Sequence, residues 1–339
     1  MNQCVVLTEP GKVEMREIAM PQPKKNEAVL KILYGGICGS DLNTYRGASA
    51  YVSYPRVPGH EFSAEIVEIG ENDKGLKAGM LVTANPYFNC GECYSCKRGL
   101  VNCCTTNETM GVQREGGFAN YITMPIERLY CVEGLTARQA TLVEPFCISY
   151  HGVRHANVQP GEKVLVIGAG TIGILAMASA KIAGAKVYVS DVAADKLGIA
   201  KELGADGIIL NDGDESFQKQ VNEATDGNGF DVTIEAVGLP STFQNCVDAA
   251  AFGGRVIVIG VGKTNLDFNF TLIQKKELFI HGSRNAVAKD FEDVIKIILE
   301  KKFDVEKIVT NTYKFANSPT AFAEFDKNAG SMLKVILEF

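Results

Sequence analysis

An α/β protein of two domains is what this chain predicts, and three features carry that reading. Its 339 residues exceed what one hydrophobic core usually organises. Up to about residue 150 it breaks into short β segments punctuated by Gly and Pro. From Lys163 onward, apolar strands alternate with stretches of helical length and period. Such alternation argues for a doubly wound parallel sheet covered by helices on both faces.

In the β-rich part, an apolar N-terminal strand runs to a Pro10-Gly11 turn, and segments 28–33, 64–69, 80–84 and 119–123 follow. In the second part, strand-like segments lie at 164–167, 186–190, 207–210, 232–235 and 255–259, with helix-length stretches between them. After 278–282 come an amphipathic stretch, 290–301, and a closing apolar strand, 332–337. A tail of that kind can return to the first domain and make the second an insertion. The expected division is 1–150 with 287–339 for the β-rich domain, and 151–286 for the parallel-sheet domain.

Composition narrows the function classes. A hydrophobic fraction of 46% fits a globular protein, and a net charge of −6 disfavours nucleic acid, whose binding takes its affinity from clustered Lys and Arg. The N-terminus lacks the basic region, long apolar stretch and cleavage site of a signal peptide, and no segment reaches membrane-spanning length. Ten cysteines diluted over so long a chain fit a reducing, cytoplasmic setting better than a disulfide framework.

Four of those cysteines, Cys90, Cys93, Cys96 and Cys104, are spaced C-x2-C-x2-C-x7-C, so a loop of about 88–106 can wrap one tetrahedral zinc. Four thiolates leave no open coordination position, which makes the expected site structural. The adjacent Cys103 leaves the identity of the fourth ligand open.

Gly168-Ala169-Gly170-Thr171-Ile172-Gly173 follows a predicted strand and opens a predicted helix. In that context Gly168 permits the tight turn, Gly170 lets backbone approach a pyrophosphate, and Gly173 allows close packing of helix on strand. The helix N-terminus then offers free N–H groups to the phosphates. Asp191 ends the next strand, 18 residues past Gly173, where a carboxylate accepts hydrogen bonds from the adenosine ribose. A 2′-phosphate there would meet repulsion on the order of a few kcal/mol, so NAD is expected over NADP. As a bland alternative, Asp191 simply caps the following helix.

Cys38, His60 and Glu144 each sit in a bend at a strand edge or domain junction. A thiolate, an imidazole and a carboxylate are a sufficient protein set for an open zinc site, although each residue alone means little.

Taken together, the segment Gly36-Ile37-Cys38-Gly39-Ser40-Asp41, the Gly59-His60-Glu61 bend, the four-cysteine lobe, Glu144-Pro145, and the glycine loop with Asp191 and Lys196 resemble the zinc-dependent medium-chain dehydrogenases. The likeness spans essentially the whole chain and points to the sorbitol, threonine and galactitol-phosphate dehydrogenase branch. Tyr54-Pro55-Arg56-Val57, Glu144-Pro145-Phe146 and Gly282-Ser283-Arg284-Asn285-Ala286 look most like the L-galactonate dehydrogenase group. The resemblance implies a GroES-like catalytic domain, a Rossmann domain, two zinc ions per chain and NAD. It implies that Cys38, His60 and Glu144 hold the catalytic zinc, that Glu61 approaches it in some states, and that Lys196 joins Asp191 at the ribose. Ser40 would take the alcohol proton while nicotinamide accepts the hydride. Several relatives continue the relay with a histidine where this chain has Asn43, which cannot titrate near neutrality, so the expected route passes through Ser40, the nicotinamide ribose and water.

Glutamate in place of a second thiolate makes the metal site more polar, which suits a polyol or sugar acid. Tyr45, Arg46, Arg56, Arg114 and Arg284 are candidates for lining the cleft, with surface solvation the commoner role of any one arginine. L-Threonine or sorbitol oxidation is the nearest enzymatic alternative. A zinc-ribbon binding or redox-sensing protein is the alternative from another class, and the acidic charge argues against it. A homo-oligomer, dimer or tetramer, is expected, with the 278–280 strand as a pairing edge.

Overall fold

The computed structural model describes residues 1–262 and 264–339. They form two compact units, Met1–Glu144 with Val287–Phe339, and Pro145–Ala286. No described helix is long and apolar enough to cross a membrane.

In the first unit, Asn2–Glu9 and Lys12–Ile18 pair as an antiparallel hairpin. A seven-stranded sheet is built around Glu27–Ile37, which pairs antiparallel with Glu61–Ile69, with Tyr121–Pro125 and with the chain's last strand, Lys334–Glu338. Leu81–Ala84 and Leu129–Cys131 extend one side, and Val309–Lys314 lies parallel to the last strand on the other. One apolar layer gathers Leu30, Ile32, Phe62, Ile66 and Val82. Another joins Ile37, Leu42 and Phe118 to Phe322, Val335 and Leu337, so burial ties the C-terminal segment to the N-terminal one.

Several elements depart from the sequence expectation, among them the strands Lys12–Ile18 and Leu129–Cys131, which it did not include. The strand expected at 119–123 is Tyr121–Pro125, because Asn120 N–H donates to the Gln3 carbonyl (2.9 Å) and Ala119 bridges Cys4, which draws both residues to the first strand. Val309–Lys314 was not anticipated. Its sequence, VTNTYK, alternates half-buried with exposed positions and carries little apolar signal.

In the second unit, six parallel strands run in the order Gly207–Leu210, Lys186–Asp191, Lys163–Ile167, Phe230–Glu235, Ala250–Val258 and Phe279–Gly282. This is the 3-2-1-4-5-6 order of a doubly wound nucleotide-binding sheet, with its reversal beside Lys163–Ile167. Leu165, Ile167, Phe217, Val221, Phe230, Val247 and Val256 form the core between sheet and helices.

Candidate active site

Strand pairing brings the first cluster together. Gly36 lies opposite Glu61 across the antiparallel pair, so Cys38, just past one strand, and His60, just before the other, emerge at the same end. The chain turns from Cys38 into the helix Gly39–Tyr45, and Asp41 fixes that turn by accepting from the Cys38 N–H (2.9 Å). Its other oxygen accepts from the Gly59 N–H (3.3 Å) and lies 3.9 Å from His60 Nδ1. One buried carboxylate thus holds both bends.

Potential ligand atoms of Cys38, His60 and Glu61 lie within 4.8 Å of one another. Glu61 is also gripped by Lys334 Nζ at 2.6 and 2.8 Å, and the same ammonium reaches the Ile37 carbonyl at 3.4 Å. Glu144, in the first turn of the helix Val143–Ala156, falls outside that three-residue set and accepts a hydrogen bond from the Tyr87 hydroxyl.

The electrostatics are those of a site short of positive charge. Asp41, His60, Glu61, Glu144 and Lys334 are all at most 6% exposed. Burial, with Glu61 nearby, pushes the Glu144 carboxyl up to about 7 against the pull of His60, Tyr87 and Lys334. Burial likewise raises Asp41. For His60, burial works to lower the pKa, but Asp41, Cys38 and Glu144 outweigh it and hold the imidazole well above its ordinary value. Lys334 is raised on the same balance, burial being overcome by Glu61 and Cys38. His60 Nδ1 is buried without a hydrogen-bond partner. Three carboxyls and a thiol facing one lysine and one histidine suit a dication, and the thiol, imidazole and carboxyl donors suit zinc.

The second cluster lies in the cysteine lobe. The sulfurs of Cys90, Cys93, Cys96 and Cys104 all lie within 4.8 Å, with Cys90 and Cys104 3.6 Å apart. All four are free thiols, and the exposed Cys103 stands outside the set. The backbone N–H groups of residues 96 and 105 hold Cys93 down to about 5, while burial, then its bond with Cys93, pushes Cys96 up to about 11. N–H groups of Cys90 and Cys93 also donate to the sulfurs of Cys104 and Cys90, both at 3.3 Å. Donors so arranged favour the thiolates of Cys93 and Cys104, while burial opposes that of Cys96.

In the second unit, Gly168 (φ +105°) makes the turn that L side chains rarely adopt, and a Cβ on Gly173 would strike the Gly168 carbonyl oxygen. Gly170 precedes the helix Thr171–Ile182, so Thr171 and Ile172 form its first turn. Asp191 is not the cap of the next helix, Ala194–Glu202, which is capped by Ala193. Its carboxylate accepts from the Ala169 N–H (2.7 Å) and the Ala193 N–H (2.9 Å), bracing the glycine loop from the neighbouring strand. Lys196 sits half-buried in the first turn of that helix.

The remaining candidates scatter. Ser40 is exposed, and its carbonyl accepts from Thr44 Oγ1. Arg46 pairs with Asp326, Arg56 with Glu115 and Arg114 with Glu108, while the Tyr45 ring packs on Phe322. The His155 ring contacts those of His151 and His281, each with a centroid separation of 4.5 Å. Sequence reading assigned no role to Asp41, Tyr87 or Lys334. Only Lys334 left a signal, as a charge inside an apolar terminal strand.

Residues 24–134 match the alcohol dehydrogenase GroES-like domain, and residues 171–300 match the zinc-binding dehydrogenase domain. The chain is 36% identical over 336 residues to L-galactonate-5-dehydrogenase of Escherichia coli K12, covering 99% of this chain and 98% of that protein. It is 32% identical to sorbitol dehydrogenase of Halalkalibacterium halodurans, covering 96% of each. Among solved structures, an alcohol dehydrogenase from E. coli CFT073 complexed with NADH superposes with a TM-score of 0.93 at 31% identity, covering 100% of this chain and 99% of that one.

Proposed function

The chain belongs to the zinc-binding alcohol dehydrogenase family, and on that premise we propose that it oxidises a secondary alcohol of a sugar acid or polyol with NAD⁺ as hydride acceptor. The observation that carries the reading is the convergence of Cys38 and His60 with buried carboxylates in one unit, while the other presents a glycine loop braced by Asp191. When bound, zinc supplies an electrophile that makes the alcohol easier to deprotonate, and NAD⁺ supplies the acceptor.

The chain's own residues do the rest. Cys38, His60 and Glu144 would hold the catalytic ion, Glu144 on the strength of the family resemblance, since the donor atoms that lie together are those of Cys38, His60 and the Lys334-bound Glu61; Cys90, Cys93, Cys96 and Cys104 would hold the structural one. Ser40 Oγ takes the alcohol proton and, being exposed, passes it to solvent. Gly168, Gly170, Thr171, Ile172 and Gly173 shape the pyrophosphate cradle. Asp191 and Lys196 bind the adenosine ribose, and the Asp191 charge disfavours a 2′-phosphate. The similarity to L-galactonate-5-dehydrogenase supports a hexonate as first candidate. The sheet-edge strand Phe279–Gly282, with Phe279 half exposed, supports a homo-oligomer.

NADH formation across a panel of hexonates, polyols, L-threonine and simple alkyl alcohols, with NAD⁺ and NADP⁺, tests this. The highest kcat/KM is expected for a sugar acid or polyol with NAD⁺. Turnover confined to L-threonine or alkyl alcohols, or equal use of NADP⁺, would overturn the corresponding part.

A further inference from the structure

Besides Asp41, two carboxylates act on His60, and each is tethered by a different partner: Glu61 by Lys334 through both oxygens, and Glu144 by the Tyr87 hydroxyl through Oε1. The Tyr87 tether is itself built with care. Tyr87 is 8% exposed and lies on a two-residue strand, Tyr87–Phe88, paired with Glu108–Thr109. Its N–H donates to Asn85 Oδ1 at 2.9 Å, and its carbonyl accepts from Arg128 Nη1. The next ring, Phe88, contacts the guanidinium groups of both Arg114 and Arg128, at 4.1 and 4.4 Å. Arg128 Nη2 then donates to Asn89 Oδ1 (3.1 Å), and Asn89 Nδ2 reaches Cys96 Sγ at 3.8 Å. A segment of three residues is thus clamped along its length by one arginine, with a phenol at one end on Glu144 and an amide at the other on the cysteine lobe.

A surface tyrosine needs none of this. A phenol donating to one oxygen of a buried carboxylate fixes the carboxylate plane and leaves the second oxygen as the available donor, which is what a metal ligand requires of its outer partner. We propose that Tyr87 is a positioning residue for the metal site: clamped by Arg128, its hydroxyl occupies Glu144 Oε1 so that Oε2 faces the cation. This rests on Glu144 being a ligand, as read above. Tyr87 touches neither substrate nor cofactor in this role, so its effect is on metal retention first and on turnover through it.

The test is zinc retention by purified holoenzyme in competition with a chromogenic chelator, for the wild type, Tyr87→Phe and Glu144→Gln. Phenylalanine keeps the ring and its packing, so the zinc-free protein should still fold cooperatively, melting somewhat lower for the lost buried hydrogen bond. The expected result is that Tyr87→Phe weakens one zinc by about 10–100-fold and leaves the four-cysteine zinc at wild-type affinity. In the cobalt-substituted enzyme, the absorption bands of the weaker site should change in Tyr87→Phe, which a merely structural tyrosine would not cause. Should Glu144→Gln lose that zinc while Tyr87→Phe holds both ions as tightly as the wild type, the tyrosine inference fails alone. Equal weakening of both ions in Tyr87→Phe would also overturn it. Wild-type retention in Glu144→Gln would remove the ligand reading itself, and this inference with it.

Discussion

Replacing Lys334 by Met separates the packing of the last strand from its charge. Lys334 Nζ lies 2.6 and 2.8 Å from the two oxygens of Glu61, with both side chains at most 3% exposed. At an effective dielectric of about 20, opposite charges at such distances attract by roughly 6 kcal/mol, and desolvation of both groups cancels much of that gain. Methionine fills similar space but leaves Glu61 buried and unpaired beside Asp41 and Glu144, a change that typically costs about 3–5 kcal/mol. The zinc-free Lys334→Met protein should therefore lose about that much in urea denaturation, a large share of the roughly 5–15 kcal/mol that holds a domain folded. Adding Glu61→Gln removes the stranded charge, so the double variant should recover most of the loss, and zinc should stabilise Lys334→Met more than it stabilises the wild type. A loss below about 1 kcal/mol, or a double variant no more stable than the single one, would refute the argument that this pair exists because each charge needs the other.

Three further outcomes are expected. Ser40→Ala should lower kcat roughly a hundredfold with the zinc content intact, and near-normal turnover would remove the proton-transfer role. Cys104→Ser should lose the lobe's zinc and lower the melting temperature, whereas Cys103→Ser should keep both, as elemental analysis and calorimetry would show; the reverse ordering would mean that the wrong sulfur has been assigned. Asp206 is opposed by burial, yet the Lys181 ammonium and the Val187 N–H hold its carboxyl below the usual range. A carboxyl depressed in the folded state contributes stability above its unfolded pKa and loses it as pH falls through the folded value. Asp206→Asn should therefore cost stability at neutral pH, under about 1 kcal/mol for so exposed a pair, and cost nothing in strong acid. A penalty independent of pH would contradict this.

What the sequence disclosed follows the range of the interactions involved. The parallel sheet was legible because each strand announces itself by a short apolar run between helix-length stretches, and the glycine loop because its spacing is local. The four-cysteine lobe was legible for the same reason, except that spacing could not choose between Cys103 and Cys104. The choice is made by the short 3-10 turn Val101–Cys103, which leaves Cys103 exposed and buries Cys104. Cys38, His60 and Glu144 were legible as residue types suited to zinc. That Asp41 binds two bends at once, that Tyr87 reaches Glu144, and that Lys334 meets Glu61 across 273 residues of chain depend on strand pairing that no local pattern encodes. Val309–Lys314 was missed because a strand lying parallel to an edge, with polar residues on its outer face, lacks the apolar alternation that sequence reading relies on.

The central claim is that one unit holds an electrophilic ion on Cys38 and His60 while the other independently binds the nicotinamide cofactor. The most direct measurement is His60→Ala assayed together for zinc content, NADH affinity and turnover. The account predicts one zinc fewer than the wild type, NADH binding unchanged within about twofold, since ion and cofactor are held by different residues, and no detectable oxidation of any substrate accepted by the wild type. A variant that keeps its full zinc complement, or one that turns over at a wild-type rate without that ion, would contradict it.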